Sequence, residues 1–299
     1  MSLNCTLVTV SCLRDMALLD LQSQSIKNFL PKTVKVIIII NEDGTNIDKW
    51  KEEFSLFSQN YENHNLIVYE KKDFDIEWEI NESMEVVKGW TRQQVLKFVI
   101  SEKIYTDCYL ILDSQNFLIK PLDFENLIVE GKIPFKVSEM TWARSAYENY
   151  CEILGVVPRQ EKNTLSISTP IYVSTELVKN LITTIGNSKV FSEWFYSYGS
   201  LKSEFALYLA WLEKNGGIEK NHYEVHNFSH PYLRDSTDFN HQYWIFLKLL
   251  GRDPRHYWSM INHRAWGEMR EDQYQRICES LNRFDLRPNF DRFRREYLN

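Results

Sequence analysis

Glycine is scarce in this sequence, with 10 among 299 residues. Neither the G-x-x-x-x-G-K-[ST] loop, whose backbone amides cradle phosphates, nor the G-x-G-x-x-G turn of dinucleotide-binding folds is present. The scarcity of glycine also argues against Gly-rich repeats. The common signatures of ATPases and of dinucleotide-dependent dehydrogenases are therefore missing.

An excess of positive charge and a long apolar segment are missing too. Lys and Arg number 35 against 41 Asp and Glu, which gives a net charge of −6. A chain of that sign repels a phosphate backbone, so we expect no nucleic-acid partner. The longest apolar run, residues 205–212, is too short to cross a bilayer. The N-terminus has no basic region followed by a long apolar core, so we expect no transmembrane segment and no secretion.

The five cysteines are odd in number and form no C-x-x-C pair. Scattered cysteines of this kind are typical of reduced thiols in cytosolic proteins, so we expect a cytoplasmic protein. His226 and His230 lie four residues apart, as zinc ligands on a helix do. The segment between them is not H-E-x-x-H, and Pro231 disfavours a helix there, so we expect no zinc site.

Hydrophobic residues make up 43% and charged residues 25% of the chain, as in ordinary globular proteins. A length of 299 residues allows one large domain or two small ones, at roughly 150 residues per domain. We find no linker and no internal repeat. The sequence therefore predicts a single composite domain over residues 1–299.

Two periodicities alternate in the first part of the chain. Short apolar runs at residues 6–10, 36–40, 65–69 and 108–112 predict strands. The segments between them carry apolar residues three and four positions apart, as amphipathic helices do. This alternation predicts an α/β fold with a Rossmann-type, mostly parallel sheet flanked by helices.

The second half is less regular. Residues 167–173 resemble a strand interrupted by Pro170, and helices are predicted over 174–185 and 203–214. Beyond them lie aromatic and Arg-rich segments without a clear period. We therefore predict an irregular, helical C-terminal part.

Capping residues predict where three helices begin. Thr91 and Gln94 fit a capping box for a helix that starts near Gly89. We interpret Asp15 as the N-cap of the first helix. Ser203 is expected to cap the helix that follows it, with Glu204 at the positive end of that helix.

Polar residues follow three of the predicted strands. They are Ser11, residues 41–43 and residues 113–116. In open α/β sheets, ligands bind beyond the carboxyl ends of the strands. A charge on Asp113, at the end of an apolar strand, is unfavourable unless a ligand, a cation or hydrogen bonds compensate it. A plain turn aspartate is the alternative interpretation.

Several short motifs resemble one family. The strand that ends in Leu112-Asp113, followed by an apolar stretch and Lys120-Pro121, resembles the D-x-D region of GT-A fold glycosyltransferases. Residues 89–97 (GWTRQQVLK) resemble a segment of bacterial and phage proteins regarded as glycosyltransferases and classed as a domain of unknown function. Residues 8–15, 203–205 and 262–264 resemble the same group, and the motifs follow one another in order along residues 6–265.

The resemblance implies a GT-A fold and the transfer of a sugar from a nucleotide-sugar donor to a hydroxyl acceptor. The acceptor it implies is a glycan or a lipid-linked glycan. Residues 4–125 then form the nucleotide-sugar-binding half, and residues 126–299 form the acceptor-side half with the C-terminal helices. The alternative is a non-catalytic nucleotide- or glycan-binding relative that has lost metal-dependent transfer.

The resemblance also implies a site for Mn²⁺ or Mg²⁺ formed by Asp113, Gln115 and His263. Such a cation neutralises the departing nucleoside diphosphate. Gln115 stands where the family has its second acidic residue, and a neutral amide is a weaker ligand for a hard cation. Either the cation is held weakly or basic residues assume its role.

The remaining site residues come from the strand ends and from the resemblance together. The catalytic candidates are Asp113 and Glu204; Glu204 acts as the base if the transfer inverts the sugar carbon, and only binds the acceptor if it does not. The donor-binding candidates are Ser11, Arg14, Glu42, Asp43, Arg92, Gln93, Lys97, Asp113, Ser114, Gln115 and Arg264.

Arginines and aromatic residues alternate in residues 287–299. One interpretation is peripheral contact with an anionic membrane surface, where lipid-linked acceptors lie. Asp291 and Glu296 dilute the positive charge, so we favour a solvated terminal helix that includes Arg287, Arg292, Arg294 and Arg295.

Overall fold

The computed structural model describes residues 4–76, 85–123, 127–139, 143–160, 163–165, 169–197, 203–225, 232–233, 239–250, 257–289 and 292–293. The strands are β1 (Cys5–Ser11), β2 (Lys35–Ile40), β3 (Leu66–Glu70), β4 (Cys108–Asp113), β5 (Asn116–Leu118), β6 (Ile133–Glu139), β7 (Asn163–Leu165), β8 (Ile171–Ser174), β9 (His222–Val225), β10 (Tyr232–Leu233) and β11 (Trp258–Ile261). The helices are α1 (Met16–Phe29), α2 (Thr45–Ser55), α3 (Glu85–Val99), α4 (Arg144–Leu154), α5 (Thr175–Ile185), α6 (Ser188–Ser197), α7 (Glu204–Lys214), α8 (Phe239–Leu249), α9 (His263–Glu268) and α10 (Glu271–Asn282).

A five-stranded sheet in the order β3-β2-β1-β4-β8 forms the centre of the structure. Its first four strands are parallel, and β8 runs antiparallel beside β4. The predicted α/β class and the mostly parallel sheet are confirmed. Two three-stranded sheets, β10-β11-β5 and β7-β6-β9, lie outside the central sheet.

Strand β2 shows why the central strands read as unbroken apolar runs. Its side chains alternate between the two faces of the sheet, and each face is covered. Ile37 and Ile39 join a core that includes residues of α3 and α7. Ile38 and Ile40 join a second core that includes Trp50 of α2. A strand buried on both faces has no polar face to reveal its period.

The starts of the helices correct two predictions. Helix α3 begins at Glu85, so Thr91 lies inside it and the predicted capping box is wrong. Asp15 occupies the N-cap position of α1 but makes no capping hydrogen bond; its carboxylate accepts one from the Cys12 thiol instead, at 3.2 Å. The predicted cap at Ser203 is confirmed, since its hydroxyl accepts from the backbone N of Ala206 at 3.3 Å.

The C-terminal segment also differs from the prediction. Arg292 is 3% exposed and forms ion pairs with Asp20 at 3.4 Å and Glu53 at 2.9 Å. Phe293 packs on Trp266, with ring centroids 4.2 Å apart. The prediction of a solvated position is therefore wrong for these two residues. Arg292 joins the C-terminal segment to α1 and α2, and Phe293 packs within the C-terminal part.

Some predictions fall outside the described residues. They concern His226, His230 and Pro231, the start of the strand predicted over 167–173, and Arg294 and Arg295. None of the helices in the described ranges combines the length and the apolar character that crossing a bilayer requires.

Candidate functional site

A cleft of about 230 Å³ opens at the carboxyl ends of β1 and β4. This is the edge of the sheet at which ligands bind in open α/β folds. Its walls come from the segment at the start of α1, from α3 and from the turn after β4. The residues that line it are Arg14, Asp15 and Leu18; Trp90, Gln93 and Lys97; Asp113, Ser114 and Gln115; and Asn262.

Three side chains donate hydrogen bonds to the Asp113 carboxylate. Its Oδ1 accepts hydrogen bonds from Lys97 Nζ at 2.8 Å and from Gln93 Nε2 at 3.2 Å. Its Oδ2 accepts from Thr169 Oγ1 at 2.7 Å. The side chain is 27% exposed. The charge at the end of this apolar strand is therefore compensated by a cation and by two neutral donors.

Buried amide side chains hold the turn that carries Asp113. The backbone N of Asp113 donates to Asn116 Oδ1 at 2.8 Å. Gln22 of α1 donates to the carbonyl oxygens of Asp113 and Asn116, at 2.9 and 2.8 Å. Thr9 of β1 donates in turn to Gln22 Oε1 at 2.9 Å. A buried network with its polar groups paired in this way is rigid, so it fixes the direction of Asp113.

Lys97 links Asp113 to a second carboxylate. Its Nζ lies 3.1 Å from Glu204 Oε1, and the side chains of Lys97 and Glu204 are each 6% exposed. Burial by itself lowers the pKa of Lys97, but the attraction of Asp113 and Glu204 outweighs it and raises the pKa well above its usual value. Lys97 is therefore a permanent positive charge at the base of the cleft.

Glu204 lies behind the cleft and touches it through Lys97. It is the first residue of α7, where the positive end of the helix favours an acidic side chain. Burial raises the pKa of Glu204, and the ion pair with Lys97 offsets part of that effect. The structure thus brings Glu204 next to Asp113 without exposing it to the cleft.

Two predicted donor-binding residues serve the protein itself. Ser11 is buried, and its Oγ accepts a hydrogen bond from Trp50 Nε1 at 3.4 Å. The Glu42 carboxylate accepts from the backbone N of Leu13. Neither side chain lines the cleft.

Asp43 and Arg92 lie together beside the cleft and do not line it. The Asp43 carboxylate is paired with Lys71 at 2.7 Å and with Arg92 at 2.8 Å. Partial burial of Asp43 favours the neutral acid, but the contacts with Lys71 and Arg92 outweigh it, so the pKa of Asp43 is lowered. Arg92 therefore neutralises a carboxylate next to the site.

Several predicted residues do meet at the cleft. Arg14, Gln93, Lys97, Asp113, Ser114 and Gln115 all line it. Ser114 is 4% exposed, and its Oγ is buried without a hydrogen-bond partner among the described residues. Helix α9 begins at His263, directly after Asn262 of the cleft wall, but the side chains of His263 and Arg264 lie outside the described residues.

The cleft also contains side chains that the sequence did not mark as site residues. Trp90 lines the cleft and is 47% exposed. Asn262 lines the cleft too. Asp15 lines the cleft too, and burial raises its pKa. Asp15, Trp90 and Asn262 each lie inside one of the short family-like motifs, at 8–15, 89–97 and 262–264, and this position could have marked them as site residues. Thr169 had no such signal, apart from its position before Pro170.

The described donor groups do not fit a divalent cation. Both oxygens of Asp113 are engaged by protein donors, and one of these donors is the Lys97 ammonium. Gln115 contributes only a neutral amide. In the part of the chain that the structure describes, no group of three or more His, Cys, Asp or Glu side chains could hold a metal ion. The predicted site for Mn²⁺ or Mg²⁺ therefore lacks a sufficient set of acidic ligands there.

Comparison with known proteins agrees with this architecture. The signature of a family described as a "Family of unknown function (DUF6492)" matches residues 6–265. No curated protein sequence matches the chain. Among solved structures, the galactosyltransferase LgtC, crystallised with donor and acceptor sugar analogs, is similar with a TM-score of 0.53 and 10% sequence identity, over 93% of this chain and 95% of that chain. This likeness confirms the predicted GT-A fold.

Proposed function

Because the chain belongs to DUF6492, a family of unknown function, and has the fold of a galactosyltransferase, we propose that it is a glycosyltransferase. It moves a sugar from a nucleotide-sugar donor to the hydroxyl group of a glycan or lipid-linked glycan. One observation carries this proposal: Asp113 ends β4 inside a cleft at the carboxyl edge of the sheet, where Arg14 and Lys97 add positive charge.

The cleft has the groups that a nucleotide-sugar needs. Arg14 and Lys97 attract the diphosphate, although the whole chain is acidic, and a guanidinium binds phosphate oxygens in a forked geometry. The Ser114 hydroxyl adds a donor without a protein partner among the described residues. Trp90 offers an exposed ring on which a base or a sugar can stack.

Asp113 then orients the donor. An ionised carboxylate has about four acceptor positions, and protein donors fill three of them. The remaining position accepts a hydroxyl of the ribose or of the sugar. Because the turn at 113–116 is fixed by buried hydrogen bonds, this contact selects one orientation of the donor.

Asp15 is better placed than Glu204 to take the proton of the acceptor hydroxyl. Asp15 lines the cleft, whereas Glu204 is buried behind Lys97. Burial raises the pKa of Asp15, which makes its carboxylate a stronger proton acceptor. We therefore assign the base to Asp15 in the proposed reaction and give Glu204 the role of positioning Lys97.

The proposal is tested by nucleotide binding. Nucleoside diphosphates and their sugar conjugates are screened one by one for stabilisation of the wild-type protein against heat. A ligand at a hundred times its dissociation constant stabilises by about 2.7 kcal/mol. We expect one base to stabilise selectively, and Asp113→Asn to weaken its binding at least tenfold.

Asp107→Asn is the matched control, since Asp107 is exposed just before β4, at the opposite end from Asp113. It should bind as the wild type does. Stabilisation by no nucleotide, or an equal loss in both variants, would contradict the proposal. Release of nucleoside diphosphate from the matching sugar conjugate then separates a transferase from a relative that only binds, an alternative favoured by Gln115 in place of an acidic ligand.

A further inference from the structure

The position of Lys97 is unusual for a lysine. Its ammonium is buried and lies between two carboxylates, at 2.8 Å from Asp113 Oδ1 and 3.1 Å from Glu204 Oε1. It also lies 5.3 Å from the ring centroid of Phe205, on the face of the aromatic ring. A buried charge persists only when such partners compensate for the lost water. The fold therefore maintains a fixed cation at the carboxylate that ends β4.

Most of the acceptor positions of Asp113, which a metal ion would need, are already used. Lys97 and Gln93 both donate to Oδ1, and Thr169 donates to Oδ2. The neighbouring Gln115 brings no negative charge that would attract a second cation. A divalent ion would have to displace the ammonium while the positive charge of Lys97 remained nearby, and like charges repel strongly in such a site.

From this arrangement we infer that Lys97 replaces the divalent cation, so that the site binds the diphosphate of its donor and transfers the sugar without a metal ion. This inference rests on the proposed function. An ammonium has three N–H donors, and the two carboxylates accept from two of them. Because Lys97 lines the cleft, the third donates to a diphosphate oxygen.

Every bond and proton of the transfer is accounted for with protein groups alone. The bond between the sugar carbon and the β-phosphate oxygen breaks, and its electron pair stays on the diphosphate. The acceptor oxygen forms the new bond to that carbon and releases its proton to the Asp15 carboxylate. Lys97 and Arg14 stabilise the negative charge on the diphosphate, and Lys97 keeps its own proton.

The test measures binding of UDP and of GDP by calorimetry, once with EDTA and once with Mn²⁺. For the nucleotide that binds, we expect dissociation constants within twofold of each other in the two buffers. Lys97→Met should weaken binding at least tenfold, and Lys97→Arg should recover part of the loss because it restores the charge. Lys179→Met is the matched control, since Lys179 donates to the Ile104 carbonyl, far from the cleft, and should bind normally.

The outcomes separate this inference from the proposed function. If no nucleoside diphosphate of any base and no sugar conjugate binds under either condition, the proposed function fails. If the nucleotide binds but needs Mn²⁺, the proposed function stands and the inference is wrong. Equal binding in EDTA with full affinity in Lys97→Met also overturns the inference, because another group must then supply the charge.

Lys97→Met can fail to fold, since it leaves the buried Glu204 and the partly buried Asp113 without their cation. Circular dichroism of this variant beside Lys179→Met detects that failure. A second measurement then decides on wild-type protein alone: the paramagnetic resonance signal of free Mn²⁺ is recorded with nucleotide alone, which itself chelates Mn²⁺, and again after protein is added. We expect the protein to cause no further loss of the free signal, and a further loss stoichiometric with protein would overturn the inference.

Discussion

The backbone N of Glu204 donates a hydrogen bond of 3.1 Å to the side-chain oxygen of Gln94. This contact joins the first turn of α7 to the turn of α3 that carries Gln93 and Lys97. Glu204 is thus held at its backbone by one residue of α3 and at its carboxylate by another. The floor of the cleft is therefore a junction between two helices that lie far apart in the sequence.

Removal of Glu204 should destabilise the fold strongly. Glu204→Ala leaves the buried Lys97 ammonium with one carboxylate, and the loss of one member of a buried ion pair costs about 3 kcal/mol or more. Urea unfolding measures the change. Glu176→Ala is the control, because Glu176 also lies in the first turn of a helix capped by serine but is exposed. It should lose at most about 1 kcal/mol, and equal losses in both variants would contradict the burial argument.

Trp90 should contribute to ligand binding and little to stability. Trp90→Ala is expected to weaken binding of the nucleotide-sugar by about 1–3 kcal/mol, the usual range for stacking on an aromatic side chain. Trp90→Phe should retain most of the affinity. Calorimetry measures both variants.

Trp244→Ala serves as the control for Trp90, since Trp244 of α8 is 55% exposed and does not line the cleft. Its affinity should equal that of the wild type. If Trp244→Ala weakened binding as much as Trp90→Ala does, the effect of Trp90 would come from general stability and not from stacking.

A metal requirement should be created by two substitutions. The double variant with Lys97→Met and Gln115→Asp removes the ammonium from Asp113 and adds a third carboxylate to the cleft, beside Asp113 and Asp15. We expect it to bind Mn²⁺ at micromolar to millimolar concentration and to bind nucleotide only with Mn²⁺ present. The single Gln115→Asp variant should not bind Mn²⁺, because Lys97 still occupies Asp113. Binding of Mn²⁺ by that single variant would argue against the role of Lys97.

Stability should fall in mild acid because of His222. This residue is buried, with Nε2 3.0 Å from the Tyr208 hydroxyl oxygen, and burial lowers its pKa to about 3. Its pKa in the unfolded chain is about 6.5. Between these values the unfolded chain binds a proton that the folded protein does not. The free energy of unfolding should therefore decrease by up to about 1.4 kcal/mol per unit as pH falls below 6.5.

His222→Gln isolates this contribution. The amide cannot titrate in this range, so the variant should lose less stability than the wild type between pH 6.5 and pH 5. Urea unfolding at a series of pH values gives both slopes. Parallel slopes would mean that His222 does not control the acid response.

Much of the fold could be predicted from local pattern. The strands of the parallel sheet appear as apolar runs because both faces are covered, and Ser203 caps α7 as expected. The start of α3 was missed because Gly89 and Thr91 look like a helix boundary, although both lie inside the helix. A glycine weakens a helix without ending it, so local sequence alone misplaces such a boundary.

The site could be predicted only in part. The rule for strand ends located Asp113, and the motif at 89–97 located Gln93 and Lys97. The partners of these residues come from distant segments: Glu204 is 107 positions from Lys97, and Thr169 is 56 positions from Asp113. The periodicity of apolar residues in the sequence does not reveal contacts between residues so far apart. Ser11 and Glu42 were predicted wrongly to line the cleft, because residues at strand ends also form hydrogen bonds within the protein itself.

The ion pair of Arg292 with Asp20 has a consequence for folding during synthesis. The two residues are 272 positions apart, and α1 also exchanges hydrogen bonds with Arg287 through Gln24. On a ribosome, Arg292 is made 272 residues after Asp20, so this side of α1 remains uncovered while the intervening chain is made. Helix α1 is therefore fully enclosed only after residues 287–292 have been added, and until then this side of it is accessible to chaperones and proteases.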